Sequence, residues 1–329
     1  MRTYKIAIVG ATGMVGQTFR QVLEDRKFPI KEIVFFASEK SDGKTIDFMG
    51  KTYLVKALNS HSFDEGFDIA LFSAGGEISL IYAPIAASKG VKVIDNSSAW
   101  RMKPNIKLVV PEVNKSVLTK DDFIIANPNC STIQSVVPLK VIHELFEVKR
   151  VIYSSYQAVS GSGYKGIMDL ERGKNGEPNT FYPKPIYENV IPHIDSFLAS
   201  GYTKEEQKMV DETKKILNLP NIKVSATCVR VPVLVGHSVS MYVETNKPID
   251  LSLLNNTYEK NPDIVLHKDD TYPTPLDVAG QDSVHVGRVR LDQDEPNGLH
   301  LWVVADNVRK GAATNAIQIA EHLIKEDLV

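Results

Sequence analysis

The run Ala126-Asn127-Pro128-Asn129-Cys130-Ser131-Thr132-Ile133-Gln134 holds the residue whose type and setting point most directly to chemistry. The apolar stretch from Phe123 to Ala126 predicts a buried strand, and Asn127-Pro128-Asn129 breaks it. From Ser131 and Thr132 an amphipathic helical pattern runs to about Leu145. Cys130 is therefore expected at a strand-to-helix elbow, at or beside a helix N-terminus, where unpaired backbone N–H groups and the positive end of the helix dipole face it. Such a setting lowers a thiol pKa below its ordinary value of about 8.5 and yields thiolate near neutral pH. The same N–H groups suit an oxyanion formed when a thiolate attacks a carbonyl. Taken alone, the position equally suits a buried structural Cys.

Other candidates lie further along. In Cys228-Val229-Arg230-Val231-Pro232-Val233, within a strand expected over 223–233, alternation puts Ala226, Cys228 and Arg230 on one face. An Arg in apolar surroundings is costly unless paired, and a substrate carboxylate or a structural Glu would each pair it. His237 follows Gly236 at that strand's end, ahead of another strand expected over 238–244; beside a thiolate it would serve as acid and base, and alone as a hydrogen-bonded structural His. Glu205 and Lys208 stand three apart on a helix starting near Thr203, a spacing that also describes an ordinary solvated ion pair. Arg101, on a loop after a short strand, suits a phosphate, a carboxylate or a surface salt bridge.

The elements that must position these residues divide the chain in two. Lys5-Ile6-Ala7-Ile8-Val9 reads as a buried parallel strand running into Gly10-Ala11-Thr12-Gly13-Met14-Val15-Gly16 and then a helix to about Glu24. That order of strand, glycine-rich turn and helix is the dinucleotide-binding pattern, with the turn cradling a pyrophosphate. After the second strand, Glu32–Ala37, come Ser38, Glu39, Lys40, Ser41 and Lys44; hydroxyls and ammonium groups there suit a 2′-phosphate, hence NADP, although Glu39 would suit the ribose hydroxyl of NAD. Further short strands end in small polar loops, among them Ser73-Ala74-Gly75, as at the ligand-binding edge of an open parallel sheet. Beyond about Val148 longer strands predict a mostly antiparallel sheet, with loop and short helices from Tyr164 to Tyr202 as a dimer arm and a final amphipathic helix over 312–325 packed back on the first domain.

Composition narrows the classes. The chain has 329 residues, enough for two domains, and a net charge of −2, which argues against nucleic acid or an anionic membrane as the main partner. No apolar stretch approaches the roughly 20 residues of a membrane span, and the first residues lead directly into a strand without a signal-peptide pattern. Two cysteines, Cys130 and Cys228, imply no disulfide framework and fit a reducing cytoplasm, though the sequence leaves a bridge between them open. No metal site is expected.

Taken together the motifs resemble the aspartate-semialdehyde dehydrogenases from end to end. The matching segments are G-A-T-G-M-V-G at Gly10–Gly16, D-N-S-S at Asp95–Ser98 with Arg101, V-P-E-V-N at Val110–Asn114 and N-P-N-C-S-T-I-Q at Asn127–Gln134. They continue with Y-Q-A-V-S-G-S-G at Tyr156–Gly163, E-E-Q-K at Glu205–Lys208, C-V-R-V-P-V at Cys228–Val233 with His237, and K-G-A-A-T-N-A at Lys310–Ala316. The short insert after Gly163 resembles the branch found in many Gram-positive bacteria and archaea. Where some members carry a second Cys before the elbow, this chain has Asn127.

The resemblance implies an α/β fold: a Rossmann-type doubly wound parallel sheet over 1–128, completed by 310–329, and an α+β catalytic and dimerisation domain over 129–309. This is the two-domain plan of glyceraldehyde-3-phosphate dehydrogenase. It implies NADPH-dependent reductive dephosphorylation of L-aspartyl 4-phosphate to L-aspartate 4-semialdehyde, in a homodimer or a tetramer. Cys130 would form an acyl-enzyme thioester, His237 would act as acid and base, and Gln157 would orient the intermediate. Arg230 would bind the substrate carboxylate, Glu205 its ammonium, and Arg101 and Lys208 the phosphate, with Asn129 beside them. Gly10 to Gly16 would hold the pyrophosphate, and Ser38 with Lys40 or Ser41 the 2′-phosphate, while Gly161, Ser162, Gly163 and Asn315 would lie near the nicotinamide. A malonyl-thioester reductase, an N-acetyl-glutamyl-phosphate reductase and a non-catalytic NADP-binding paralogue are the competing expectations.

Overall fold

Lys5 to Val9 form the centre of the first sheet, as their unbroken apolar character requires. In the computed structural model, which describes residues 2–329 and leaves Met1 outside the described residues, β1 (Tyr4–Val9) runs parallel to β2 (Ile30–Ala37) on one side and β5 (Ile69–Phe72) on the other. Between them lie α1 (Met14–Asp25) and the antiparallel hairpin of β3 (Thr45–Phe48) and β4 (Lys51–Ala57). The unit continues with α2 (Gly76–Ser88), β6 (Lys92–Asp95), β7 (Lys107–Leu108), α3 (Pro111–Asn114) and β8 (Ile124–Ala126). The sheet order is β3-β4-β2-β1-β5-β6-β8-β7, parallel except for the β3 edge.

Alternation along the strands feeds two cores. Ile6 and Ile8 face Phe19 and Val22 of α1 and Ile317 and Ala320 of the C-terminal helix (Thr314–Lys325), whereas Ala7 and Val9 face Ala83 and Ala86 of α2. The C-terminal helix lies against α1, and Arg26 grips Glu321 with two bonds of 2.8 and 2.6 Å. One unit comprises the residues up to Pro128 with Ala312–Val329, and the other Asn129–Gly311.

The second unit opens with α4 (Cys130–Phe146), followed by β9 (Val148–Gln157), α5 (Tyr164–Lys174), α6 (Lys204–Leu217), β10 (Lys223–Arg230) and β11 (His237–Thr245). Then come α7 (Leu251–Lys260), β12 (Ile264–Leu266), α8 (Pro275–Val278), β13 (Val284–Leu291) and β14 (Gly298–Ala305). The sheet order is β10-β9-β11-β14-β13-β12, antiparallel through its middle and parallel at both edge pairs. Strand β10 stops at Arg230, short of the expected Val233, because Pro232 offers no N–H to a ladder. The helix expected to be amphipathic, α4, is instead buried on almost every side, since it runs between this sheet and helices α6 and α7. The other face of the sheet is open: Ile152 and Tyr156 are exposed there, and the Tyr156 ring meets Trp302 at 5.6 Å.

The Arg26–Glu321 pair joins helices distant in sequence and is two-thirds shielded from solvent. A double-mutant cycle with Arg26→Ala and Glu321→Ala is expected to give a coupling of about 1 kcal/mol in urea unfolding, as for a well-formed bidentate pair; a coupling near zero would place the cohesion of these helices in their apolar faces alone.

Candidate active site

Cys130 is the first residue of α4, and the turn before it is built by one side chain. Asn129, with extended backbone, accepts from Ser131 N–H at 3.0 Å and Thr132 N–H at 3.2 Å through Oδ1. It thereby satisfies two of the donors that every helix start leaves unpaired. Its Nδ2 donates to Glu205 Oε1 at 2.8 Å, and its backbone N–H donates to Glu212 Oε2 at 2.6 Å. From the other side Gly311 presses on the thiol residue: a Cβ at 311 would stand 2.9 Å from Cys130 Cβ. Cys130 and Cys228 are both thiols, which settles the open disulfide question in favour of none between them. Cys228 is buried, and desolvation pushes its thiol pKa far up.

Four predicted residues gather around this elbow. Glu205, expected on a solvated helix face, is buried because α6 packs against α4 and β10. Burial alone would raise its carboxyl pKa, but the charge of Lys208, the amide of Asn129, the charge of Arg230 and the amide of Gln157 outweigh it and hold the group below its ordinary value. Gln157 Nε2 donates to Glu205 Oε1 and Ser155 Oγ, each at 3.2 Å. Lys208 Nζ bridges Glu205 and Asp195 at 3.2 and 2.8 Å.

Arg230 donates from NH1 to Ala158 O at 2.6 Å, and the Tyr182 ring lies 6.0 Å from its guanidinium. Its Nε is buried without a partner among the described residues. His237 is fully buried, and Gly236, at φ 96°, provides the left-handed turn that aims it. Ala158 N–H donates to His237 Nδ1 at 3.0 Å, so the neutral ring carries its proton on Nε2. That Nε2 also lacks a partner among the described residues. Desolvation, aided by the Arg230 charge, drives the imidazole pKa well below 6.5. Gly161 lies over both groups: a Cβ there would stand 2.9 Å from Arg230 NH1 and 3.1 Å from His237 Nε2. Two buried nitrogens without partners, on two side chains that Gly161 overlies, are what a site for a polar ligand leaves behind.

The arm after Gly163 closes this side. The Asp169 carboxylate accepts from Thr180 N–H and Oγ1–H, Phe181 N–H and Tyr182 N–H, and Tyr182 in turn donates to Ser162 Oγ at 3.0 Å. Glu212, Gly311 and Tyr182 join the site through contacts between distant segments, and of the three only Gly311 lies within a sequence motif, Lys310–Ala316.

In the first unit a cleft of about 650 Å³ opens at the C-terminal ends of β1, β2 and β5. Gly10, Thr12, Gly13, Ser38, Lys40, Ser73 and Ala74 line it, as does Glu39. Ala11, Met14, Val15, Gly16, Ser41 and Gly75 do not; Ser41 and Ala11 are buried. Gly10 has φ 87°, and a Cβ there would overlap the backbone of Ser73 in the loop after β5, while one on Gly16 would overlap Gly10 and Ala11 of the turn itself, so the cradle closes only with glycine at both. Arg101 is buried on the neighbouring loop and donates to the carbonyls of Asn127 and Asn96 at 2.9 and 3.0 Å. Asn315 is also buried and donates to Val109 O and Asn127 Oδ1.

A glycine-cradled cleft on one unit and a thiol elbow on the other are the ground plan of a semialdehyde dehydrogenase, and the family models agree: the NAD binding domain matches residues 5–121 and the dimerisation domain residues 139–310. The chain is 53% identical to the aspartate-semialdehyde dehydrogenase of Aquifex aeolicus, with 99% of each covered, and 44% identical to that of Bacillus subtilis, with 100% and 99% covered. It superposes on aspartate-semialdehyde dehydrogenase II from Vibrio cholerae, solved in complex with ASA, with a TM-score of 0.94, 49% identity and 99% of each chain covered. The chain belongs to the aspartate-semialdehyde dehydrogenase family.

Two expectations follow from the geometry. A His pKa lowered on folding means the unfolded chain takes up that proton first, so stability is full above about pH 6.5 and falls as pH drops toward the folded value, with a slope of about 1.4 kcal/mol per pH unit for one proton. His237→Gln should remove that part of the acid sensitivity in urea titrations from pH 7 to 5; an unchanged slope would mean that His237 protonates in the fold. Gly161→Ala is expected to lower kcat/KM by about 10²-fold, since it displaces both Arg230 and His237; steady-state kinetics at the parental value would contradict the close approach.

Proposed function

We propose that this protein reduces L-aspartyl 4-phosphate to L-aspartate 4-semialdehyde with NADPH, releasing phosphate, through a thioester on Cys130. The reaction belongs to the aspartate route to lysine, threonine, methionine and diaminopimelate. The observation that carries the reading is the cluster around the α4 elbow, where an ionised Glu205 and a buried Arg230 with an unsatisfied Nε share one wall. Those two charges read both ends of an amino-acid backbone, and a neutral aldehyde would leave them unpaired. That favours an aspartyl substrate over a malonyl thioester or an N-acylated amino acid.

Cys130 Sγ bonds to the acyl carbon, and the bond from that carbon to the phosphate oxygen breaks, with the electron pair leaving on phosphate. Arg230 holds the carboxylate, Glu205 the ammonium, and Gln157, tied to Glu205, orients the acyl group. By family resemblance Arg101 and Lys208 carry the phosphate. His237, protonated on Nε2, donates to the oxygen on which charge gathers, and burial keeps it a neutral donor. Gly10, Gly13, Ser38 and Lys40, which line the cleft, would hold NADPH, and the cofactor would supply a hydride for reduction of the thioester carbon. The carbon–sulfur bond then breaks, and the aldehyde leaves Cys130 as thiolate.

The open face of the second sheet, with Tyr156 and Trp302 at its centre, is the surface through which two copies would pair as a homodimer. A reducing cytoplasm is the compartment that keeps Cys130 a thiol.

The test is the oxidative reaction. Protein, L-aspartate 4-semialdehyde, phosphate and NADP⁺ should give phosphate-dependent formation of reduced nicotinamide, and Cys130→Ala should abolish it while cofactor binding stays within about twofold, because a thiol-to-methyl change leaves the glycine cradle untouched. Turnover that persists in Cys130→Ala, or that needs no phosphate, would overturn the reading.

A further inference from the structure

Helix α6 sends two carboxylates to one residue. Glu205 and Glu212 are seven apart, two helical turns, and so lie on one face. Glu205 takes the side-chain amide of Asn129 and Glu212 takes its backbone N–H, at 2.8 and 2.6 Å. Asn129 in turn caps α4, whose first residue is Cys130. Glu212 is itself buried, at 1% exposure. A carboxylate so placed carries a desolvation cost that a glutamine accepting the same N–H would largely avoid, and what it returns is a charge-assisted bond about twice as strong as a neutral one.

From this we infer that Glu212 is a positioning residue for Cys130. Together with Oδ1 of the cap, it fixes the Asn129 peptide at both ends, so the sulfur leaves the elbow in one direction. The carboxyl group bonds the residue next to the thiol, so a charge on it would act on the sulfur as well as on the geometry of the turn. Glu205 belongs to the same clamp, which links the group proposed to hold the substrate ammonium with the turn that carries the sulfur. This inference rests on the reading of Cys130 as nucleophile.

Glu212→Ala removes the acceptor and Glu212→Gln keeps it without the charge. In the full-length protein, kcat is expected to fall about 10²-fold in Glu212→Ala, with KM for L-aspartate 4-semialdehyde little changed, and by less than about tenfold in Glu212→Gln. The pH profile of Cys130 alkylation by iodoacetamide, read without substrate, should move to lower pH in Glu212→Gln, because a negative charge near the thiol is gone. Cys228, buried and with its pKa raised, does not contribute to that signal. A folded Glu212→Ala with parental kcat, equal losses in the two variants, or a Glu212→Gln alkylation profile identical to the parent would each overturn the inference. Should Glu212→Ala not fold, the alkylation profile of Glu212→Gln decides. Alkylation needs no turnover, so a shifted profile in a protein whose Cys130→Ala form still turns over would sink the nucleophile reading and leave the clamp standing.

Discussion

Asn129 faces two ways, and the second unit is arranged around that fact. Its carbonyl oxygen ties down the first turn of α4 through Ser131 and Thr132, while its two nitrogens are held by acids on α6. A helix start buried without a cap would leave backbone donors unsatisfied at a cost of about 1–3 kcal/mol each. The cap therefore both stabilises α4 and fixes where its first side chain points. Gly311 on the opposite side leaves room for that side chain and no more.

The charges nearby are sorted by the same packing. Burial disfavours any ion, yet Glu205 stays ionised because Lys208, Asn129, Arg230 and Gln157 all favour its charged form. His237 is under the same desolvation and meets Arg230, a charge of the sign it would acquire, so it stays neutral. Around Arg230 there thus stand an anion and an uncharged proton donor, each kept in its state by its neighbours rather than by solvent.

Much of this could be read along the chain. The Gly10–Gly16 turn, the elbow at Cys130 and the inward face of Ala226, Cys228 and Arg230 depend on local spacing, and local spacing is what a sequence displays. The burial of α4 and of Glu205 could not be read in this way. Both depend on packing between segments distant in the chain: α6 against the elbow, and the sheet and α7 against the rest of α4. Glu212 escaped notice for the same reason: on the helix it is one acid among several, and only its bond to Asn129 sets it apart. Gly161 and Gly311 are legible as glycines, but the atoms they admit belong to other elements. The partition of Gly10–Gly16 into residues that line the cleft and residues that do not likewise follows from the backbone path of the turn.

Strand β9 has one more consequence. Pleating turns Tyr156 onto the open face of the sheet and Gln157 onto the face where Glu205 lies, so a single peptide bond separates the two environments. Whatever seats against Tyr156 and Trp302 pulls on the same backbone that aims the Gln157 amide. A change at the open face large enough to tilt that peptide is transmitted through a rigid ladder on both sides, to β10 and to β11. The two surfaces are therefore coupled through one pleat: the outward positions 152, 154 and 156 and the inward Gln157 share a backbone whose tilt sets both.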